Sequence, residues 1–271
     1  MPQPLFFNEI KYVPPFEIAM HRGIWSFVFL FISLIFANEL KDFLFLFKSS
    51  KKIIILTFTS LLIATNWLGF IYSINIDKVQ DASLGYFLTP MISISLGYLF
   101  LSERLNFRKI ISVSLMFFSC LILVFNLDHF PYIAILIGIT WGLYGLLRKQ
   151  INVSPALGLL YESGLITLFA APYLIYLSLS GAGFFNFNLS YVSIMLFLTG
   201  IVTIIPLFLF NLGLKYISLG LAGVLFYIAP SFHFITSIFI LGEYIENEKL
   251  LAFIIIWIAV GIFIYDAIKK I

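Results

Sequence analysis

The chain has 271 residues, of which 62% are hydrophobic and 11% are charged, and its formal net charge is +3. Soluble domains carry about 25% charged and about 45–50% apolar residues, so the composition excludes a soluble globular protein and indicates one that lies in a lipid bilayer. The small net charge is spread over short loops, which argues against nucleic acid as a partner. A single cysteine, Cys120, excludes an intrachain disulfide. With three scattered histidines and no metal motif, we expect no metal and no cofactor.

Apolar runs alternate with short polar breaks along the whole chain. A membrane-spanning helix needs about 20 mostly apolar residues, and nine runs are candidates: 23–37, 53–73, 82–101, 110–126, 130–147, 156–179, 191–213, 219–241 and 250–266. Residues 1–10 are too short to cross and resemble the tail of a further span. Residues 38–50 are amphipathic, which predicts an extension of the first full helix or a helix on the membrane surface. Since the breaks are short, any function has to be built from the helices.

The distribution of Lys and Arg predicts the orientation of the chain. With alternating loops, 12 of the 16 basic residues fall on one side, and Lys11, Arg22, Lys78 and Lys249 fall on the other. By the positive-inside rule, the C-terminus is cytoplasmic and the loop at 11–22 is outside. Nine full spans then leave the N-terminus outside with a hydrophobic stub, so we interpret the chain as starting inside its first helix.

An internal repeat is visible at one offset. A shift of 140 residues aligns Pro15 with Pro155, Pro90 with Pro230, and Glu103 with Glu243. The loop alternation places Glu103 inside and Glu243 outside, so the two halves are predicted to have opposite orientations. Inverted repeats are typical of secondary transporters, whose binding site lies near the midplane between the repeats. We predict one repeat at 1–127 and the second at 128–271.

The chain also resembles a known family over about residues 4–266. The motifs that carry the resemblance are Glu17-Ile18 with His21-Arg22 and Trp25-Ser26, Asn66-Trp67-Leu68, Ala82-Ser83-Leu84-Gly85-Tyr86-Phe87 with Pro90, Glu103-Arg104-Leu105, Tyr144-Gly145-Leu146-Leu147-Arg148-Lys149, Glu162, Gly200-Ile201-Val202-Thr203 with Pro206, Tyr227-Ile228-Ala229-Pro230, Gly242-Glu243 and Ile256-Trp257. In order and spacing these are similar to the RarD-type transporters, an EamA-like branch of the drug/metabolite transporter superfamily.

The resemblance implies an all-α polytopic membrane protein with ten helices in two inverted five-helix repeats and both ends cytoplasmic. In the family, a Trp-Gly pair precedes the proline that matches Pro4, whereas here Met1 stands at that pair's second position. We therefore expect nine full spans plus part of a first helix, and two explanations are open: a misplaced start codon, or a truncated and inactive product.

Two ionisable residues within the predicted spans are candidates for substrate binding. Glu162 is interpreted either as a carboxylate that binds a cationic group or cycles a proton, or as half of a structural ion pair, with Arg22 as its repeat counterpart. Arg22 either attracts an anionic substrate group or extends to the lipid headgroups. Glu103 is expected to have a structural role.

The remaining candidates are polar, aromatic and proline residues. Asn66 and Trp67 lie in mid-span, where a buried amide needs partners. Trp141, Tyr144 and Tyr227 offer rings for an aromatic or cationic solute, or else pack in the core. Pro90, Pro206 and Pro230 each remove an intrahelical hydrogen bond, and kinks there would suit a gating movement.

The leading hypothesis is secondary active transport of a small metabolite or drug across the inner (plasma) membrane by alternating access. The expected partners are a small solute and the lipid bilayer, with proton coupling through Glu162 and a homodimer as open alternatives. The rival hypotheses are a degenerate protein that does not transport and, less favoured, a membrane-embedded enzyme acting on lipid-linked substrates. For the latter, the sequence lacks a cluster of Asp, His or Lys at one membrane face.

Overall fold

The computed structural model describes residues 3–76, 78–125, 127, 129–188, 190–228, 230–232 and 247–269. Every regular element in these ranges is a helix, as predicted. The helices are α1 Gln3–Asn8, α2 Pro15–Phe36, α3 Leu40–Leu46, α4 Ser50–Asn75, α5 Val79–Leu101, α6 Phe107–Phe125, α7 Tyr132–Gln150, α8 Pro155–Ser180, α9 Tyr191–Gly213, α10 Leu219–Leu225 and α11 Asn247–Ile268.

Among the described residues, seven helices are long and apolar enough to cross a bilayer: α2, α4, α5, α6, α8, α9 and α11. The chain is therefore a multi-pass membrane protein. The predicted span at 130–147 corresponds to the 19-residue helix α7. The predicted span at 219–241 begins as α10, and its residues 229 and 233–241 lie outside the described part of the chain.

Two local predictions need correction or refinement. The loop placed at 11–22 is shorter than expected, because α2 already begins at Pro15, where the fixed φ of proline suits the first helical position. Residues 38–50 do not extend the first full helix, since they form the separate short helix α3, on which Leu44 and Phe45 are exposed.

Serine caps begin several of the helices. The side chains of Ser154, Ser190 and Ser218 accept hydrogen bonds from backbone N–H groups in the first turns of α8, α9 and α10. Each cap satisfies one of the amide groups that the start of a helix leaves without a partner. At the other end of α8, Gly181 adopts a φ of 69°, a left-handed conformation that favours glycine.

The helices form two compact units. Unit A comprises Pro2–Asp77 with Leu147–Lys215, and unit B comprises Lys78–Leu146 with Tyr216–Ile271. In unit A, α2 packs against both α8 and α9, and α4 packs against α8 and α2. In unit B, α6 packs against α11 and α5 packs against α10.

Helix starts recur at the predicted spacing. α2 begins at Pro15 and α8 at Pro155, α5 at Val79 and α10 at Leu219, and α6 at Phe107 and α11 at Asn247, so each pair is separated by 140 residues. Each compact unit therefore combines helices from both predicted repeats. The division at 127/128 and the inverted orientation of the halves stay predictions.

Glu103 has a structural role, as expected. Its carboxylate accepts hydrogen bonds from the backbone N–H groups of Leu219 (2.6 Å) and Gly220 (3.0 Å) at the start of α10. The carboxylate therefore joins the end of α5 to the beginning of α10 in unit B, where a negative charge also complements the helix dipole. Its repeat counterpart Glu243 lies outside the described residues.

Candidate functional site: a buried charged cluster in unit A

Unit A contains a narrow cavity between its helices, with a volume of about 10 Å³. It is lined by Ser26, Leu30, Ile63, Trp67, Leu159, Glu162, Ser163, Thr203, Ile204 and Leu207. These residues come from α2, α4, α8 and α9, so every span of unit A contributes to the lining. About one water molecule fits into this space, so a solute could enter the cavity only after the helices move apart.

A buried ion pair lies beside this cavity. The Arg148 Nε atom is 3.6 Å from the Glu162 Oε1 atom, and both side chains are 2% exposed. Arg148 also donates to the side-chain oxygen of Asn211 at 2.8 Å, while the Thr59 hydroxyl donates to Glu162 at 2.6 Å. Because a charge taken out of water needs an opposite charge and hydrogen bonds, these contacts hold Glu162 as a carboxylate facing the cavity.

Arg22 brings a second guanidinium group to the same cavity. Its Nε atom donates to the Thr203 hydroxyl at 3.0 Å, and its guanidinium carbon lies 4.6 Å from the Trp67 ring centre and 4.9 Å from that of Phe7. The side chain is 4% exposed. The alternative in which Arg22 extends to the lipid headgroups is therefore wrong, since both Thr203 and Trp67 line the cavity.

Glycines allow the close packing on which the site depends. A Cβ atom at position 158 would overlap the guanidinium group of Arg148, so Gly158 leaves the space that this side chain occupies. A Cβ atom at position 200 would lie 2.7 Å from backbone and side-chain carbons of Trp25, so Gly200 allows α9 to approach α2. Small residues serve this purpose in many membrane helix interfaces.

Four of the seven predicted binding residues lie in unit A. Trp67 and Glu162 line the cavity, Arg22 contacts the lining residues Thr203 and Trp67, and Asn66 is buried beside Trp67 on α4. The structure thus brings together residues of α2, α4 and α8 that are up to 140 positions apart in the sequence.

The other three predicted binding residues lie in unit B. Trp141 and Tyr144 have ring centres 5.8 Å apart on α7, and Tyr144 is fully buried. Tyr227 is also buried, and its hydroxyl donates to the backbone carbonyl of Phe87 at 2.9 Å. Of the predicted hinge prolines, Pro90 lies within α5, Pro206 lies within α9, and Pro230 follows α10.

The positively charged partner of Glu162, Arg148, was not predicted from the sequence. Arg148 is one of the 12 basic residues that the charge distribution places on the cytoplasmic side, but its side chain is buried in unit A. Thr59 and Asn211 were missed as well, since single polar residues in apolar helices carry no distinguishing pattern, and Thr203 was noted only as part of a family motif. The available signal for Arg148 was the requirement that a buried Glu162 have a cationic partner.

Comparisons with known proteins agree on one family. The sequence profile of the EamA-like transporter family matches residues 5–125 and 131–265. The chain is 34% identical over 265 residues to protein RarD of Salmonella typhi and 35% identical over 270 residues to the uncharacterized transporter YojE of Bacillus subtilis; each alignment covers 98% of this chain and 90% of the relative. The chloramphenicol-sensitive protein RarD of Pseudomonas aeruginosa is more distant, at 22% identity over 270 residues, with the same coverage.

The fold is also similar to a solved one. A chain of a crystal structure aligns with a TM-score of 0.66 at 14% sequence identity, covering 98% of this chain and 95% of that one.

Proposed function

The chain belongs to the EamA-like transporter family, and from this premise we propose that it is a secondary active transporter that moves a small solute across the cytoplasmic membrane by alternating access. The observation that carries the proposal is the buried cluster of Arg22, Arg148 and Glu162 around the unit A cavity. Ionisable groups inside a membrane are costly and mark substrate or ion pathways. Family membership favours transport over the membrane-enzyme alternative, and the C-terminus is proposed to be cytoplasmic on the charge distribution.

The charges at the cavity favour a solute with an anionic group. Arg22 and Arg148 contribute two positive charges, whereas Glu162 contributes one negative charge. The Nη1 atom of Arg148 and the hydroxyl of Ser26 are buried and have no hydrogen-bond partner among the described residues. Because a guanidinium group binds a carboxylate or phosphate through paired N–H groups, an anionic group at this position would complete the charge balance.

Trp67 suits the rest of such a solute. Its ring is buried on α4, lines the cavity and already packs against the Arg22 guanidinium. An aromatic ring offers an apolar face that also attracts cations. The chemistry of the lining therefore favours a small molecule with one acidic end and an apolar or aminium end, such as an amino acid or a related metabolite.

The test is uptake of radiolabelled compounds into proteoliposomes, with and without an imposed pH gradient. The panel contains carboxylates, phosphates, amines and neutral compounds of similar size, and it includes chloramphenicol because of the name of the distant relative. We expect uptake of an anionic or zwitterionic compound, and competition by other compounds that share its acidic group. Uptake of no panel compound would support the alternative that the chain does not transport.

Matched substitutions connect any uptake to the cavity. We expect Arg22→Gln and Arg148→Gln to raise the apparent KM by about tenfold or more, as loss of about 1.4 kcal/mol of binding free energy implies. Arg104→Gln removes the same charge from an exposed residue outside unit A, so it should leave uptake unchanged. An equal effect of all three substitutions would indicate a general response to net charge and would contradict the proposed site.

A further inference from the structure

A second cluster of buried ionisable groups lies near the start of α2. Glu17 is 1% exposed, His21 follows one turn later at 4% exposed, and the His21 Nε2 atom lies 3.9 Å from the Glu17 Oε1 atom. This distance is too long for a hydrogen bond. Among the described residues, neither the Glu17 Oε2 atom nor the His21 Nε2 atom has a hydrogen-bond partner. Buried polar atoms are nearly always partnered, so two unused atoms at one place need an explanation.

The tautomer of His21 is fixed by its neighbour. The Trp25 indole N–H donates to the Nδ1 atom of His21 at 3.2 Å. An indole can only donate, so Nδ1 is the acceptor, and the proton of the neutral imidazole is on Nε2. A doubly protonated His21 would have a proton on both nitrogens and would lose the bond to Trp25. His21 therefore presents an N–H group to Glu17, and an additional proton is better taken by the carboxylate.

The loop after α8 covers this pair. The backbone N–H of Phe184 donates to the Glu17 Oε1 atom at 2.8 Å, and the ring of Phe185 lies 5.0 Å from His21 and 5.7 Å from Trp25. Phe184 itself is exposed, so the carboxyl group is one residue layer from the surface. A small movement of this loop would connect Glu17 with water.

The surroundings of Glu17 differ from those of Glu162. The charged or titratable groups around Glu17 are His21 and Arg22 on its own helix and Tyr173 on α8, which interacts with it electrostatically. The loop contributes backbone amides and phenyl rings, and α9 contributes Phe197 against Trp25. Whereas Glu162 is paired with the Arg148 guanidinium, no described contact of Glu17 is an ion pair with an arginine or a lysine.

From this geometry we propose that Glu17 is the proton-carrying group of the transporter and that His21 positions it; the inference rests on the proposed transport function. A hydronium ion transfers a proton to the unused Oε2 atom, so that one O–H bond of the hydronium breaks as the new O–H bond forms and a water molecule is released. The deprotonated carboxylate is stabilised by the hydrogen bond from the Phe184 N–H group and by the dipole of the His21 Nε2–H group at 3.9 Å. Arg22 follows His21 directly on α2 and contacts the cavity lining. A proton-dependent shift of this helix start would therefore reach the solute site.

Glu162 is a poor candidate for the same task. Protonation would leave the Arg148 guanidinium buried without its counter-charge, which costs several kcal/mol. The contacts therefore favour a fixed charge at Glu162 and an exchangeable proton at Glu17.

The first test needs no substrate. Infrared difference spectra of the protein in lipid films, recorded at successive pH values, detect the carbonyl stretch of a protonated carboxyl group that is shielded from water. We expect this pH-dependent band in the wild-type protein and in Glu162→Gln, and its loss in Glu17→Gln. Persistence of the band in Glu17→Gln, or its absence from the wild-type spectra, would overturn the proposal.

The second test separates coupling from transport, using whichever radiolabelled panel compound the wild-type protein takes up. One proton per electroneutral transport step allows up to about tenfold accumulation per pH unit. We expect Glu17→Gln to retain exchange of labelled for unlabelled compound and to lose this accumulation. If Glu17→Gln still accumulates the compound like wild type, the inference fails although the transport function stands. If the wild-type protein takes up nothing, the transport function fails, and the infrared result still decides whether Glu17 binds a proton.

His21→Gln serves as the positioning control. The glutamine oxygen can still accept the Trp25 N–H, so we expect a folded protein whose accumulation persists with a shifted pH profile. An unchanged pH profile would contradict the role of His21. Should Glu17→Gln fail to fold, Glu17→Asp offers a second measurement, because a shortened carboxyl group should keep the band but move its midpoint.

Discussion

The pairing of Arg148 with Glu162 can be tested by a double-substitution cycle. The two side chains are 2% exposed and lie 3.6 Å apart, so removal of one leaves the other as a buried charge. Breaking such a pair costs about 3–5 kcal/mol, whereas replacing both partners is far less harmful. We therefore expect Glu162→Gln to lower the free energy of unfolding by about this amount, and the double variant with Arg148→Gln to recover much of that loss.

The two single substitutions should differ in size. Glu162→Gln leaves the guanidinium groups of Arg148 and Arg22 without the carboxylate that faces their cavity. Arg148→Gln leaves Glu162 with the Thr59 hydroxyl at 2.6 Å and with the remaining positive charge of Arg22. Glu162→Gln should consequently be the more destabilising of the two, by about 1 kcal/mol or more, as one charge-assisted hydrogen bond is worth about 1.5–3 kcal/mol.

Unfolding of unit A can be followed through the reactivity of a cysteine introduced at a buried position. Cys120 is the only cysteine of the chain and lies in unit B, so the reporter is moved by combining Cys120→Ala with Ala170→Cys. Ala170 is fully buried on α8, the helix that carries Glu162. A thiol-reactive dye in rising SDS then reports unfolding of the unit that contains the pair. Additive effects of the two substitutions, with no coupling above about 0.5 kcal/mol, would refute the ion pair as the link between α7 and α8.

Three further substitutions test the packing around the site and the helix cap in unit B. Gly158→Ala should displace the Arg148 guanidinium and lower the free energy of unfolding as much as Arg148→Gln does. Gly213→Ala is the control, because a Cβ atom there meets nothing within 4 Å, and it should be neutral or slightly stabilising in the same thiol assay. Gly200→Ala should destabilise unit A more than Gly158→Ala, because the new methyl group meets backbone atoms of α2 that cannot rotate away; an unchanged unfolding midpoint would contradict the close approach. Glu103→Ala should lower the free energy of unfolding of unit B by about 2–4 kcal/mol, because two hydrogen bonds to the start of α10 are lost. The native Cys120 thiol in unit B reports this change. Glu103→Gln keeps one acceptor oxygen and should therefore be less destabilising than Glu103→Ala.

The helices were predictable because a bilayer imposes length and composition on them. Starts at Pro15 and Pro155, and at Val79 and Leu219, follow the 140-residue offset that a few prolines and glutamates already indicated. The start of α2 was predicted too late in the chain. The polar residues Glu17, His21 and Arg22 are typical of a loop unless the residues that they contact in the folded protein are known.

The residues that contact Glu17 and Arg22 could not be predicted, because they are distant in the sequence. Glu17 contacts the backbone of Phe184 and Arg22 contacts Thr203, each more than 160 residues away in the sequence. Arg148 follows an apolar run and precedes Lys149, which is also the normal pattern for a helix end at a membrane surface. Gly158 leaves the space that a buried Arg148 needs, but glycine in an apolar helix has many other uses.

The 140-residue offset relates the buried charges of unit A to one another. The 140-residue offset places Arg22 on Glu162 and Thr59 on Thr199, and all four side chains are buried in unit A. The threonine is thus the same at both matched positions, whereas the ionisable residue changes from the cationic Arg22 to the anionic Glu162. A duplicated helix pair with identical charges would repel itself inside the membrane, whereas opposite charges allow both residues to face one cavity. Arg148 then shifts the balance of that cavity to positive, and the excess charge is what a solute with an anionic group would neutralise on binding.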